Sequence, residues 1–487
     1  MKVLFLNPPF HDHFSRESRS PAVTKSSTIY YPKWLSQAAG VAIKEGHEVD
    51  LIDAPAWCVD VQYVMDRIAA KNIEAMVVDC STPSIINDIQ VVDRIVDKYP
   101  KLPVLMVGRH VSVLPEESLK ASRHLKYVAI KEYDYIVRDW LEALSSGASM
   151  SAVKGLVWKN ASGEIVRNQP AELVLNLDEL PFVSEVYKRF LRVEDYYYGF
   201  APYPNITFDT SRGCPYHCTF CAFPQTFSGH RMRYRSASNV ADEFDYIKKE
   251  FPKVKSITFE DDTYIISKDH VLGIADELIR RGNKIPYNVN QRADLIADLE
   301  FFKTLKKSGL RLVIVGFESG DDEVLKHMKK NLNLAKAEEF MDLCRKAGIL
   351  VHGCFMVGNL NETKETMQKT LDLAMKLQPD TAQFFPLMVY PGTEAYQEAK
   401  DKGYLITEDW NQWLTETGLH NAVINLPNLT NEDLVEFCDY ARRKYYTHPK
   451  YLIRKMGQSL TDFDEFKRNW IGFKSLLKYL IKGSYSK

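Results

Sequence analysis

The chain has 487 residues, of which 45% are hydrophobic and 26% charged. That is an ordinary globular composition and excludes disordered and fibrous classes. Its 63 basic and 64 acidic residues leave a formal charge of −1, which argues against a nucleic-acid partner, because such surfaces need a basic excess. At roughly 100–200 residues per domain, about three domains are expected. No apolar run reaches the roughly 18–20 residues of a membrane span. The short apolar start before Asn7-Pro8-Pro9 is too brief for a signal-peptide core. The expected compartment is therefore the reducing cytoplasm, where the eight cysteines serve as thiols or metal ligands.

In chain order, residues 1–150 alternate apolar runs with helical patterns. The runs are Val3-Leu6, Val49-Ile52, Ala75-Val78, Val104-Val107 and Tyr127-Ile130. Continuous apolar strands separated by helices predict a doubly wound parallel sheet, with ligands beyond the carboxyl ends of the strands. The dinucleotide glycine pattern is missing after the first strand. Residues 151–200 read as a linker with a small hairpin around Asn160-Ala161-Ser162-Gly163. Over 201–400 the βα rhythm returns. The predicted strands are Ile206-Asp209, Ser256-Phe259, Tyr287-Asn290, Leu312-Phe317, Val351-Val357 and Thr381-Pro386. Six βα units fit a partial (β/α)6 barrel, whose chemistry sits at the carboxyl ends of its strands. Residues 401–487 are expected to be helical. Within 441–487, twelve Lys or Arg face three Asp or Glu, a local charge of +9.

The chemistry concentrates after the first barrel strand. Cys214-Pro215-Tyr216-His217-Cys218-Thr219-Phe220-Cys221 places three of the eight cysteines within eight residues. Three buried thiols are one reading. A zinc site completed by His217 or His230 is a second. The third is an iron–sulfur cube. Cubes usually take four thiolates, so three leave one iron with an open position for a substrate or cosubstrate.

The C-x3-C-x2-C spacing, with Phe220 just before the last cysteine, resembles the radical S-adenosylmethionine (SAM) superfamily. The resemblance implies a [4Fe-4S] cluster on Cys214, Cys218 and Cys221, with Phe220 against the adenine of SAM. It implies reductive cleavage of SAM to a 5′-deoxyadenosyl radical. Phe259-Glu260-Asp261-Asp262-Thr263-Tyr264 stands where many members carry Gly-Gly-Glu for the SAM amino group, so Glu260, Asp261 and Asp262 are cofactor-binding candidates. Gly316-Phe317-Glu318-Ser319-Gly320 resembles the region that meets ribose and carboxylate, which singles out Glu318. Gly353-Cys354-Phe355-Met356-Val357-Gly358 resembles the adenine-packing strand, which singles out Gly358.

A doubly wound domain before such a barrel is similar to the cobalamin-binding class. Gly108-Arg109-His110, followed by Val111 to Glu117, matches a stretch common there, which makes Gly108 and His110 cofactor-binding candidates. The cobalt-ligand pattern D-x-H-x-x-G is absent. His110 is a candidate substitute, with a structural or surface role as the alternative. Tyr31-Pro32-Lys33-Trp34-Leu35, Ser81-Thr82-Pro83 and Tyr390-Pro391-Gly392-Thr393 resemble the radical SAM proteins of hopanoid biosynthesis and the archaeal calditol synthases. That likeness implies contraction of a sugar headgroup to a cyclopentane polyol on a membrane lipid. The alternatives are a cobalamin-dependent methyltransferase and a non-catalytic iron–sulfur electron carrier. The implied partners are a lipid-linked sugar or other small molecule and an electron donor such as flavodoxin or ferredoxin. The basic carboxyl-terminal region adds a possible peripheral contact with an anionic membrane, with a solvated helical tail as the alternative.

Overall fold

The computed structural model describes residues 1–295 and 298–461. Two parallel sheets dominate. The strands of the first are β1 (Lys2–Asn7), β2 (Glu48–Asp53), β3 (Ala75–Cys80), β4 (Val104–Gly108) and β5 (Tyr127–Ala129), joined by β6 (Leu156–Lys159) and β7 (Ile165–Arg167). Their order is β2-β1-β3-β4-β5-β6-β7. β1 to β5 run parallel and β6 and β7 antiparallel. Every residue of β3 and β4 is buried, as their unbroken apolar runs require of strands covered on both faces. The strand order reverses at β1 and β3, the switch point of an open α/β sheet, where ligands sit beyond the carboxyl ends.

The predicted hairpin forms but is not a free linker. β6 pairs with β5, with Tyr127 opposite Trp158, so the hairpin extends the first sheet. Strand edges left open by parallel pairing attract such additions.

The second sheet carries the site. Its loop-bearing strand β8 (Asn205–Phe208) is followed by a two-stranded ribbon of β9 (Ser211–Arg212) and β10 (Arg233–Tyr234). Then come β11 (Ser256–Phe259), β12 (Tyr287–Gln291), β13 (Leu310–Glu318), β14 (Leu350–Val357) and β15 (Thr381–Pro386). The six long strands pair in parallel in the order β15-β14-β13-β12-β11-β8. Among the described residues β8 and β15 end the sheet without pairing to each other, as in a partial (β/α)6 barrel.

One continuous hydrophobic core spans both sheets. At the seam Tyr31 stacks on Tyr196 at 3.9 Å and on Tyr187 at 4.5 Å, and its hydroxyl donates to the Asn205 carbonyl at 2.7 Å. After the helix Glu394–Asp401 the chain departs from the helical expectation. It runs irregularly, with one short turn at Trp410–Trp413, before the helices Asn431–Tyr446 and Pro449–Thr461. Packing explains the departure. Trp410 and Trp413 are buried, and the Trp410 ring meets His110 edge-on at 5.4 Å. This stretch therefore packs over the carboxyl ends of β3 and β4. Six of the twelve basic residues of 441–487 fall on 462–487, outside the described residues.

Candidate active site

The cysteine loop, residues 213–232, leaves and re-enters the molecule through the β9–β10 ribbon. Gly213 begins it with φ +93°, and a Cβ there would lie 2.3 Å from the Arg231 carbonyl oxygen, so only glycine fits. Cys214 and Cys218 are buried and Cys221 is half-buried. Without a metal, burial pushes the Cys221 thiol up to about 12, so it ionises by exchanging its proton for a metal. Burial also raises Cys214, whose sulfur lies 3.7 Å from Thr263 Oγ1. Among the described residues no group of three or more His, Cys, Asp or Glu side chains converges tightly enough to hold one ion. Zinc needs its ligands about 2.0–2.3 Å from a single point, whereas a cube takes each thiolate at a different corner. The donor set fits a cluster. His217 and His230 are occupied with each other, stacked at 3.9 Å.

One side chain organises this loop. Gln225 Nε2 donates to the carbonyls of Cys218 (3.0 Å), Thr219 (3.2 Å) and Cys221 (2.8 Å), and its Oε1 accepts from the Glu394 amide at 3.0 Å. A glutamine makes these bonds, and no shorter residue reaches all four. We expect Gln225→Ala to leave the fold intact but to lower iron retained after anaerobic reconstitution and desalting by several fold. Iron equal to wild type would contradict this role.

The three acidic candidates separate. Asp261 is spent inside the chain: it accepts from Thr210 N at 2.7 Å, Thr210 Oγ1 at 2.5 Å and Ser211 Oγ at 2.8 Å, and burial raises it to about 6. It shapes the entry to the cysteine loop rather than presenting a carboxylate to a ligand. Asp262 accepts from Ser228 Oγ at 2.7 Å and faces Arg19 at 3.5 Å. Glu260 is half-buried, raised by burial and drawn down by Lys33 and Arg19.

Arg19 makes a contact that the sequence did not reveal. It belongs to the loop after β1, yet its Nη2 donates to the Asp261 carbonyl at 2.9 Å. Burial is the largest influence on its charge, and Asp262, Cys221 and Glu260 favour its charged form. Its side chain is 41% exposed, and Tyr30 and Arg109 are half-buried. Arg109 lies over Phe223 at 4.5 Å and donates to the Ser18 and Arg19 carbonyls. The loops at the carboxyl ends of β1 and β4 therefore touch the cysteine loop and the loop after β11, which is where a group held by the first domain would meet one held by the barrel.

The remaining candidates sit on several elements. Phe220 is partly buried against the core. Glu318, at φ +64°, is buried and accepts from Lys330 Nζ at 3.0 Å. Gly358 has φ +89°, and a Cβ there would meet Leu434 at 2.7 Å. Gly108 has φ +117°, with room for no Cβ against the Cys80 carbonyl. His110 is buried, its Nδ1 3.3 Å from Thr82 Oγ1, and burial lowers it to about 3. It is a neutral ring wedged between Thr82 and Trp410.

Comparison with known proteins accounts for this arrangement. Residues 209–374 match the radical SAM superfamily and residues 19–139 the B12 binding domain, together more than half of the chain. An uncharacterized methyltransferase of Pyrococcus horikoshii is 27% identical over 93% of this chain and 94% of its own. The anaerobic magnesium-protoporphyrin IX monomethyl ester cyclase of Rubrivivax gelatinosus is 23% identical over 82% of this chain and 70% of its own. Among solved structures, the radical SAM methyltransferase TsrM of Kitasatospora setae, with cobalamin and a [4Fe-4S] cluster bound, superposes with a TM-score of 0.72 at 17% identity, covering 98% of this chain and 99% of the other. At that identity the likeness speaks for the fold alone. These findings overturn the expected contraction of a sugar headgroup to a cyclopentane polyol. The relative that spans nearly the whole chain is a methyltransferase, and four more at 25–26% identity are methyltransferases or a methylase. The error has a physical origin. Motifs that hold a cluster and SAM serve every reaction that starts from them and say nothing of the substrate. The cofactors implied are a [4Fe-4S] cluster, SAM and cobalamin. This chain is a radical SAM enzyme, belonging to the class that carries a B12-binding domain ahead of the barrel.

Proposed function

We propose that the protein is a cobalamin-dependent radical SAM methyltransferase acting on a small molecule. The observation that carries this reading is the direct contact between the two domains: Arg19 and Arg109, from the first domain, reach Asp261, Asp262 and Phe223 beside the cysteines. When bound there, the cluster and SAM supply a one-electron route into unactivated C–H bonds, and cobalamin supplies a methyl carrier. The chain's own groups do the rest. Cys214, Cys218 and Cys221 anchor the cluster. Glu260 would offer a carboxylate to the SAM amino group, with Asp262 behind it. Phe220 and the turn at Gly358 would hold the adenine, and Glu318, fixed by Lys330, would hold the ribose. Gly108 and Arg109 would help hold cobalamin. A small low-potential carrier such as flavodoxin or ferredoxin delivers electrons. No helix among the described residues is long and apolar enough to cross a membrane, and a cytoplasmic location fits the cysteine usage.

The test is single-turnover chemistry on anaerobically reconstituted protein. Iron and cobalt are counted, and SAM and a strong reductant are added without substrate. The expected result is S-adenosylhomocysteine formed up to about one equivalent per bound cobalamin, as a methyl carrier loads once. 5′-Deoxyadenosine without any S-adenosylhomocysteine would refute methyl transfer and favour a ring-closing activity of the kind named for the Rubrivivax relative.

A further inference from the structure

A buried guanidinium stands against the middle cysteine of the loop. Arg292 follows β12, and its side chain is 5% exposed. Its Nη1 donates toward Cys218 Sγ at 3.9 Å. Its Nε and Nη2 grip the two oxygens of Asp294 at 2.9 and 2.7 Å, and Nη2 also donates to the Lys330 carbonyl at 2.7 Å. Its plane lies 3.9 Å from the Tyr216 ring, inside the cysteine loop itself. Four of the five N–H bonds of a guanidinium are thereby committed, so little remains to hold a substrate carboxylate. Its place is fixed from three sides and its free direction is the sulfur. Lys330 adds a second buried cation close enough to be influenced by Cys218.

We propose that Arg292 is a positioning residue that tunes the cluster: by donating to the Cys218 sulfur it raises the potential at which the cluster accepts its electron. The inference rests on the assignment of the three cysteines to a [4Fe-4S] cluster. The step is a one-electron reduction, from 2+ to 1+ in cluster charge, with the electron taken from an external low-potential reductant. No bond forms or breaks and no proton moves. The added negative charge spreads over the sulfurs, where a charge-assisted donor stabilises it more than it stabilises the oxidised state. Burial strengthens the effect by keeping water from screening it. Asp294 opposes it as a nearby negative charge, so the two residues act with opposite sign.

The experiment is a redox titration of the reconstituted full chain in the absence of SAM, followed by the electron paramagnetic resonance signal of the reduced cluster, with iron counted in each variant. We expect Arg292→Gln to shift the midpoint to lower potential, Arg292→Lys to fall between it and wild type, and Asp294→Asn to shift the midpoint upward. A merely structural contact would not produce shifts of opposite sign at full iron content. Unchanged midpoints in Arg292→Gln and Asp294→Asn overturn the proposal. Should Arg292→Gln lose its iron, Arg292→Lys and Asp294→Asn decide by the same criterion. A wild type that takes up no reducible cluster overturns the cysteine assignment itself, a failure distinguished by the absence of any signal to titrate.

Discussion

Cys214→Ala, Cys218→Ala and Cys221→Ala should each lose most of the iron and all SAM cleavage, while Cys58→Ala, Cys80→Ala and Cys438→Ala keep both near wild type. Each loop cysteine supplies one of only three protein anchors, so removing any one leaves a corner without a ligand and the cube labile. The controls are placed to be informative. Cys58 is exposed, so its loss disturbs no core. Cys80 and Cys438 are buried at 3% and 2% exposure, so their loss deletes packing without touching the cysteine loop. Cys354 is the demanding case. It lies on β14, half-buried, with burial and Glu318 pushing its thiol up to about 12. Its alanine variant should keep iron and change SAM turnover only. Iron and sulfide analysis with 5′-deoxyadenosine measured in parallel checks the set. Loss of iron from Cys80→Ala or Cys438→Ala would force a new ligand assignment.

The contrast between what was readable and what was not follows from the range of the interactions. The strands of both sheets are carried by local apolar runs. Ser256–Phe259 and Thr381–Pro386 emerge with the bounds read from sequence, and the others within a few residues. The cysteine triplet is local too, since its geometry needs only one loop. Arg19 and Arg292 were invisible as site residues because each acts on a segment distant in sequence, and Gln225 because a side chain folding back on loop carbonyls leaves no spacing signal. Arg19 meets Asp261 across 242 positions, and no spacing rule spans that. The irregular stretch around Trp410 misled for the same reason: its conformation answers to His110 on another domain rather than to its own neighbours. The acidic triplet Glu260-Asp261-Asp262 shows the limit of motif reading even nearby. Three adjacent carboxyl groups look alike in sequence, yet hydrogen bonds from Thr210 and Ser211 consume one of them.

Glu132→Ala should destabilise the protein more than any other substitution outside the cysteine loop, by about 3–5 kcal/mol, the cost of stripping a buried ion pair of one partner. Glu132 belongs to the first domain, just after β5. Its carboxylate takes both ends of the Arg233 guanidinium at 2.6 Å, with both side chains almost wholly buried. Beside it Asp134 holds Arg212 at 2.7 Å, and the Arg212 guanidinium lies over Trp34 at 4.1 Å. Arg212 and Arg233 pair across the ribbon at the base of the cysteine loop, so two carboxylates of one domain clamp the neck of the other domain's metal loop. Removing Glu132 strands a charge in a dry seam and lets the neck splay. Anaerobic unfolding of the apo-protein in urea should show a lower midpoint, which is the proper measure for a two-domain chain that need not unfold in one step. The reconstituted variant should release iron faster on dilution into chelator. Glu132→Leu combined with Arg233→Met should recover much of the unfolding midpoint, since an apolar pair removes the stranded charge. Recovery should stay incomplete, because Arg233 also donates to the Val174 and Ser228 carbonyls. A Glu132→Ala midpoint equal to wild type would mean that water reaches Arg233 and that the seam is not dry.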